Sequence, residues 1–267
     1  MIRDRETLEL LLASVRRFVR ERLVPNEQRL ADEDAVPPEI VAEMRELGLF
    51  GLSLPEAYGG LGLTMEEEVL TAFELARTSP AFRTLSGTNN GIGSQGIVID
   101  GTQEQKRRWL PRLASGEIVG AFALTEPGAG SDAASLCTTA RREGDHYVLN
   151  GTKRFITNAP EAGIFTVMAR TDPTAAGAAA ISAIVVEHAL RHADAYRRDV
   201  KPPLVEDLHR RLEADAFAPA DQVRGGHAAI GKDQLARRRA AHPQLVFFLT
   251  GVKPRSILLN DNGRDPM

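Results

Sequence analysis

Two short segments hold residue types from which a ligand site can be built. The first, residues 121–132, reads Ala-Phe-Ala-Leu-Thr-Glu-Pro-Gly-Ala-Gly-Ser-Asp. A strand-like apolar run gives way to a turn with Gly128 and Gly130, flanked by the hydroxyls of Thr125 and Ser131. Glycine lets backbone N–H groups approach an anion closely, and successive N–H groups form an anion-binding nest. Ser131 adds a hydroxyl donor, and Thr125 at the strand end can bond a polar ring edge. The same composition also makes a plain loop with a capping serine. The second segment, residues 151–158, reads Gly-Thr-Lys-Arg-Phe-Ile-Thr-Asn. On an expected strand, Phe155 and Thr157 share one face. An aromatic face beside a hydroxyl suits a flat heterocycle; standing alone, the segment reads as a core aromatic.

These segments need elements to hold them. Apolar residues Leu8, Leu11, Leu12, Val15, Phe18, Val19 and Leu23 recur at three- and four-residue steps, which predicts a helix over residues 6–23 that Pro25 ends. Pro37-Pro38 opens a second helix, with Gly48 near its end. Residues 52–63 form a glycine-rich loop. Thr64 with Glu67, and Thr102 with Gln105, have capping-box spacing and open two further helices, the second closed by Gly116. Residues 87–100 suit a buried helix of small residues. The first 116 residues thus read as an all-α bundle.

At Ile118 the pattern changes. Short strands are expected over 118–125, 146–150, 155–157, 164–169 and 181–186, with turns at 142–145 and at Gly151. Short strands after a run of helices predict a separate antiparallel barrel or sandwich, giving an α+β multidomain chain. From about His188 the alternation is lost. Five of the six histidines fall there, with the clusters Arg197-Arg198, Arg210-Arg211 and Arg237-Arg238-Arg239. Residues 204–213 suit a short helix and 245–249 a short apolar run.

Composition excludes several classes. With 267 residues, 43% hydrophobic and 26% charged, the chain is of ordinary globular type. A net charge of −3 gives no footprint for nucleic acid. A lone cysteine, Cys137, rules out a disulfide framework within the chain and argues against a cysteine metal site. The charged N-terminus lacks a secretory pattern, and no apolar run reaches the roughly 20 residues of a membrane span; a cytoplasmic protein is expected. Gly91, Gly93 and Gly96 spell GxGxxG, but no strand precedes them and helices surround them, so dinucleotide binding is not expected there. His188 and His192 are at i, i+4 spacing without a metalloprotease glutamate, and no metal site is assigned. The Arg237–Arg239 run reads as a solvated cluster.

The two segments together are far more specific than either alone. Thr-Glu-Pro-Gly-Ala-Gly-Ser-Asp, followed about two dozen residues later by Asn-Gly-Thr-Lys-Arg-Phe-Ile-Thr-Asn, resembles the middle domain of the acyl-CoA dehydrogenases. Pro-Glu-Ala-Tyr-Gly-Gly-Leu-Gly at 55–62 resembles that family's N-terminal-domain loop. Gly-Thr-Gln-Glu-Gln-Lys at 101–106, followed by Trp109-Leu110-Pro111, resembles the helix leading into the middle domain. The likeness covers roughly residues 1–187, divided as 1–116 and 117–187, with 188–267 a divergent tail.

The resemblance implies a helical N-terminal domain, a β-barrel-like middle domain and a C-terminal four-helix domain, with FAD between the last two. Phe122, Ala123, Leu124, Thr125, Gly130 and Ser131 would line the flavin. The Leu124 backbone and Thr125 would serve the isoalloxazine edge, and Ser131 the pyrophosphate and the acyl-CoA thioester. Phe155 stands where the family usually has tryptophan, with Ile156 and Thr157 beside it; the change keeps a π face and loses an N–H donor. The implied chemistry is α,β-dehydrogenation of an acyl-CoA, with a glutamate base, an electron-transfer acceptor and a homo-oligomeric assembly. That base lies in the C-terminal domain, and neither Glu206 nor Glu213 is assigned its role. The C-terminal domain is expected to be missing, through a reading-frame change, which would impair activity. A partner-dependent or non-catalytic subunit, and a related flavin oxidase or monooxygenase, stand as alternatives.

Overall fold

Asp4 starts the first helix by accepting hydrogen bonds from the backbone N–H groups of Glu6 and Thr7 at 3.0 and 3.2 Å. The computed structural model describes residues 4–144 and 146–187, with the backbone of two later strands. The expectations for His188, His192, Glu206, Glu213, the 204–213 helix and the arginine clusters lie outside the described residues.

Helix α1 (Arg5–Phe18) does not stop at Pro25 as expected. It widens into a π turn (Val19–Leu23), tightens into a 3₁₀ turn (Val24–Asn26) and continues as α2 (Glu27–Glu33). Proline lacks an N–H and crowds the preceding turn. Here the Val24 N–H reaches back five residues to the Val19 carbonyl, so the ladder is already shifted where proline enters. Val15, Phe18, Val19, Leu23 and Leu30 stay in one buried cluster throughout.

Helix α3 (Pro38–Glu46) starts at its expected proline. Helices α4 (Met65–Leu75) and α7 (Gln103–Ala114) carry complete capping boxes from Thr64 and Thr102. The expected single helix over 87–100 is two. Ser79 caps α5 (Pro80–Asn90), which ends before Gly91, and α6 (Gln95–Asp100) follows. Among the described residues, no helix is long and apolar enough to cross a membrane.

The strands are β1 (Val119–Ala123), β2 (Thr139–Glu143), β3 (His146–Lys153), β4 (Ala162–Arg170), β5 (Ile181–Glu187), β6 (Leu245–Val252) and β7 (Ile257–Leu258). They form one sheet ordered β6-β3-β2-β4-β5-β7, with β1 alongside β4. The sheet is mixed, not purely antiparallel. Strand β1 runs parallel to β4, and Thr139 of β2 meets Arg170 of β4 in parallel register, while the remaining pairs are antiparallel. A parallel pair needs a long connection, and the loop after β1 together with the β2–β3 hairpin supplies it.

Among the described residues, three cores share the apolar side chains. One fills the helical part, and one lies inside the sheet around Ala121, Ala123, Leu149, Phe165 and Val167. The third joins them, packing Trp109, Leu110 and Leu113 of α7 against Ile164 and Val185. At the edge of that joint, the Trp109 indole and the Arg108 guanidinium both donate to Glu187, at 3.0 and 2.7 Å.

Candidate functional site

Strand β1 carries the first segment, and its start is fixed by the helical part. The buried Asn89 side chain accepts from the Gly120 N–H at 2.8 Å and donates to the carbonyls of Phe50 and Leu113 at 2.9 and 3.0 Å. A Cβ on Gly120 would lie 2.8 Å from the Gly93 carbonyl oxygen, and one on Gly93 would lie 2.8 Å from that of Gly120. The GxGxxG stretch is therefore a packing device that brings the α5–α6 turn onto β1.

Past β1, Leu124 and Thr125 are half-buried and Glu126 is buried. Mutual backbone bonds between Glu126 and Ala129 pinch the loop. Beyond the pinch, Gly130 and Ser131 are exposed. A Cβ at Gly128 or Gly130 would meet nothing within 4 Å, so the fold itself leaves room above this backbone. A shallow groove of about 450 Å³ runs beside the loop, between Glu126–Gly128, Cys137–Thr139 and Asn150–Thr152.

The second segment departs from expectation. Gly151 does not start a turn, because β3 continues to Lys153. A Cβ on Gly151 would sit 2.3 Å from the Thr138 hydroxyl, so glycine is needed for close approach inside the strand. Gly151→Ala is expected to cost about 1–3 kcal/mol by overpacking; a melting temperature unchanged from wild type would refute this.

Residues 155–157 are a turn, not a strand. The Arg154 N–H donates to the Thr125 carbonyl at 2.9 Å, and the Asn158 amide donates to the Leu85 carbonyl at 3.0 Å. Phe155 and Asn158 both take positive φ, +58° and +64°. This is strained for a bulky residue, and it stands Phe155 63% exposed at the surface. Thr157 is exposed as well, while Ile156 packs partly against the sheet core.

What joins the two segments is a buried ion pair that the sequence reading missed. Lys153 is fully buried, and its ammonium donates to Glu126 at 2.8 Å and to the Leu124 carbonyl at 2.9 Å. Glu126 also accepts from the Thr138 hydroxyl and N–H and from the Cys137 N–H. Burial raises the Glu126 pKa, but Lys153, Thr138 and the two backbone donors outweigh it and hold the carboxyl below its ordinary value. Burial pulls the Lys153 ammonium below the usual lysine value, against the opposing pull of Glu126. A signal for the pair was present: Leu149, Gly151 and Lys153 lie on one face of β3, and Leu149 points into the core. A lysine in that register needs a carboxylate.

The structure thus brings Leu124 and Thr125 against Lys153 and Arg154, with Phe155 and Thr157 following directly. Phe122 lies at the register of Thr166 on β4, and Ala123 is buried in the sheet core. The hydroxyls of Thr125, Ser131 and Thr157 have no hydrogen bond to other described residues. Open glycine backbone, uncommitted hydroxyls and an exposed aromatic ring fit a flat, anionic cofactor.

Comparison with known proteins gives the same direction. Residues 5–117 match the acyl-CoA dehydrogenase N-terminal domain, and residues 121–204 match the acyl-CoA dehydrogenase middle domain. The chain is 40% identical over 173 residues to an acyl-CoA dehydrogenase of Bacillus subtilis, covering 65% of this chain and 45% of that protein. It superimposes on the acyl-CoA dehydrogenase from Geobacillus kaustophilus with a TM-score of 0.65 and 36% identity, covering 70% of this chain and 49% of the other. An acyl-CoA dehydrogenase complexed with FAD from Bacillus anthracis gives a TM-score of 0.62 and 37% identity, covering 69% and 31%. The chain spans about half, or less, of the length of these relatives. With both domain matches in order along one chain, it belongs to the acyl-CoA dehydrogenase family, whose N-terminal and middle domains it carries.

Proposed function

We propose that this chain supplies the FAD-binding half of an oxidoreductase that introduces an α,β double bond into acyl-CoA thioesters, with an electron-transfer protein as acceptor. The observation that carries the reading is the lock between the end of β1 and the end of β3. It sets Thr125 beside Arg154 and leaves the glycine loop open.

In this reading Leu124, Thr125, Phe155 and Thr157 hold the isoalloxazine ring, and Gly130 and Ser131 face the pyrophosphate. Bound FAD supplies a hydride acceptor for the substrate's β-carbon. The Leu124 carbonyl is taken by Lys153, so the Leu124 N–H is the backbone group left for the ring edge. Phe155 offers a flat apolar face and excludes water from one side. Ser131 orients the thioester end of the substrate.

Glu126 is not the catalytic base. Its two oxygens accept four donors, and its lowered pKa makes it a poor proton acceptor.

An absorbance titration tests the reading. The purified chain, given FAD, is expected to develop a protein-perturbed flavin spectrum. No perturbation of the flavin spectrum would reject the FAD assignment. Binding without bleaching by any acyl-CoA would reject this chain as a complete dehydrogenase and favour a partner-dependent subunit.

A further inference from the structure

The site contains a charge that none of the described residues neutralises. Arg154 lies between the buried Lys153 and the exposed Phe155. Its backbone N–H is fixed on the Thr125 carbonyl at 2.9 Å. Its guanidinium carbon lies over the Phe155 ring, 4.2 Å from the centroid. Its Nε is buried without a hydrogen-bond partner, and the side chain has no ion pair with any described residue. Elsewhere in the described chain, Arg16, Arg22, Arg29, Arg108 and Arg112 all reach carboxylates.

Stacking on an aromatic ring holds a guanidinium in one plane and stabilises its charge. It does not satisfy the buried N–H. A desolvated donor with no acceptor is a standing cost unless a ligand brings one. The chain fixes the Arg154 backbone on Thr125 and stacks its guanidinium on the ring of Phe155, where the proposed function puts the cofactor.

We propose that Arg154 is the counter-charge of the cofactor site, a guanidinium held by Phe155 for an anionic acceptor on bound FAD. The inference rests on the FAD reading above. The acceptor has two possible sources. The pyrophosphate is charged in both oxidation states, whereas the isoalloxazine ring carries negative charge only when reduced.

The test uses the full chain and its Arg154→Met and Arg154→Lys variants, with FAD as the probe. Two quantities are read: the Kd for oxidised FAD from flavin fluorescence, and the midpoint potential of the bound flavin. If the acceptor is the pyrophosphate, Arg154→Met weakens oxidised FAD binding by on the order of ten- to a hundredfold. If it is the ring, oxidised binding stays within about twofold while the reduced form loses affinity by a similar factor. Each tenfold loss then lowers the two-electron midpoint by about 30 mV. Arg154→Lys recovers part of whichever effect is seen, since it keeps charge without the planar fork. Arg154→Gln repeats the comparison should the methionine variant not fold. Wild-type affinity and potential in the neutral variants would overturn the proposal while leaving the FAD reading standing. Failure of the wild-type chain to bind FAD would overturn both.

Discussion

Glu126→Ala destabilises the sheet-containing part of the chain by about 3–5 kcal/mol, because it leaves the Lys153 ammonium buried and unpaired. It also orphans the Thr138 hydroxyl and the N–H groups of Cys137 and Thr138. Lys153→Met is milder. It removes the buried cation but leaves Glu126 with the three donors from Cys137 and Thr138, and its side chain fills most of the volume. Urea unfolding of the three proteins checks the order. A Glu126→Ala loss below about 1 kcal/mol would mean that water reaches the pair, and the lock would not exist as described.

The same pair has a defined pH signature. The folded-state pKa of Glu126 lies below its unfolded value of about 4.3. Its contribution is therefore complete above that value and is lost as pH falls through the folded pKa. Glu126→Gln removes the titrating group. The stability gap between wild type and this variant is expected to be full near pH 6 and to narrow as pH falls below the unfolded value. A gap that persists unchanged at pH 3 would assign the stabilisation to shape, not charge.

Much of this architecture was legible in the sequence, for local reasons. Capping boxes at Thr64 and Thr102 are set by residues three apart, and both formed. The change from helices to strands after Ala114 follows from a change in apolar period. What was not legible depended on distant partners. Pro25 failed to end its helix because the buried stripe from Val15 to Leu30 continues through it, and a π turn absorbs the misfit. The parallel pairing of β1 with β4 is a property of the connection between them. Residues 155–157 have strand-like composition, yet bonds to Thr125 and Leu85 bend their flanks, and two residues adopt positive φ. The Glu126–Lys153 pair was hidden because its members sit in different segments, each unremarked inside a motif noted for glycines and hydroxyls.

The second large effect lies away from the glycine loop. Asn89→Ala removes the acceptor of the Gly120 N–H and the donor to two buried carbonyls. The unpaired N–H alone costs roughly 1–3 kcal/mol, and the lost amide leaves a cavity between α5, α7 and β1, for an expected total near 3 kcal/mol. Asn89→Asp separates hydrogen bonding from packing. It keeps the shape and the acceptor for Gly120, but turns a carboxylate toward the Phe50 and Leu113 carbonyls. It should therefore be at least as unstable as the alanine variant at neutral pH. The functional consequence follows from β1. With Gly120 released, the strand that ends at Leu124 and Thr125 is no longer registered on the helical part, so FAD affinity should fall at temperatures where both variants remain folded. Calorimetric melting and FAD titration at low temperature measure the two effects separately. Wild-type stability in Asn89→Asp would show that the amide bonds to the Phe50 and Leu113 carbonyls contribute nothing. A folded Asn89→Ala with wild-type FAD affinity would show that the glycine loop is positioned by the Glu126–Lys153 pair alone.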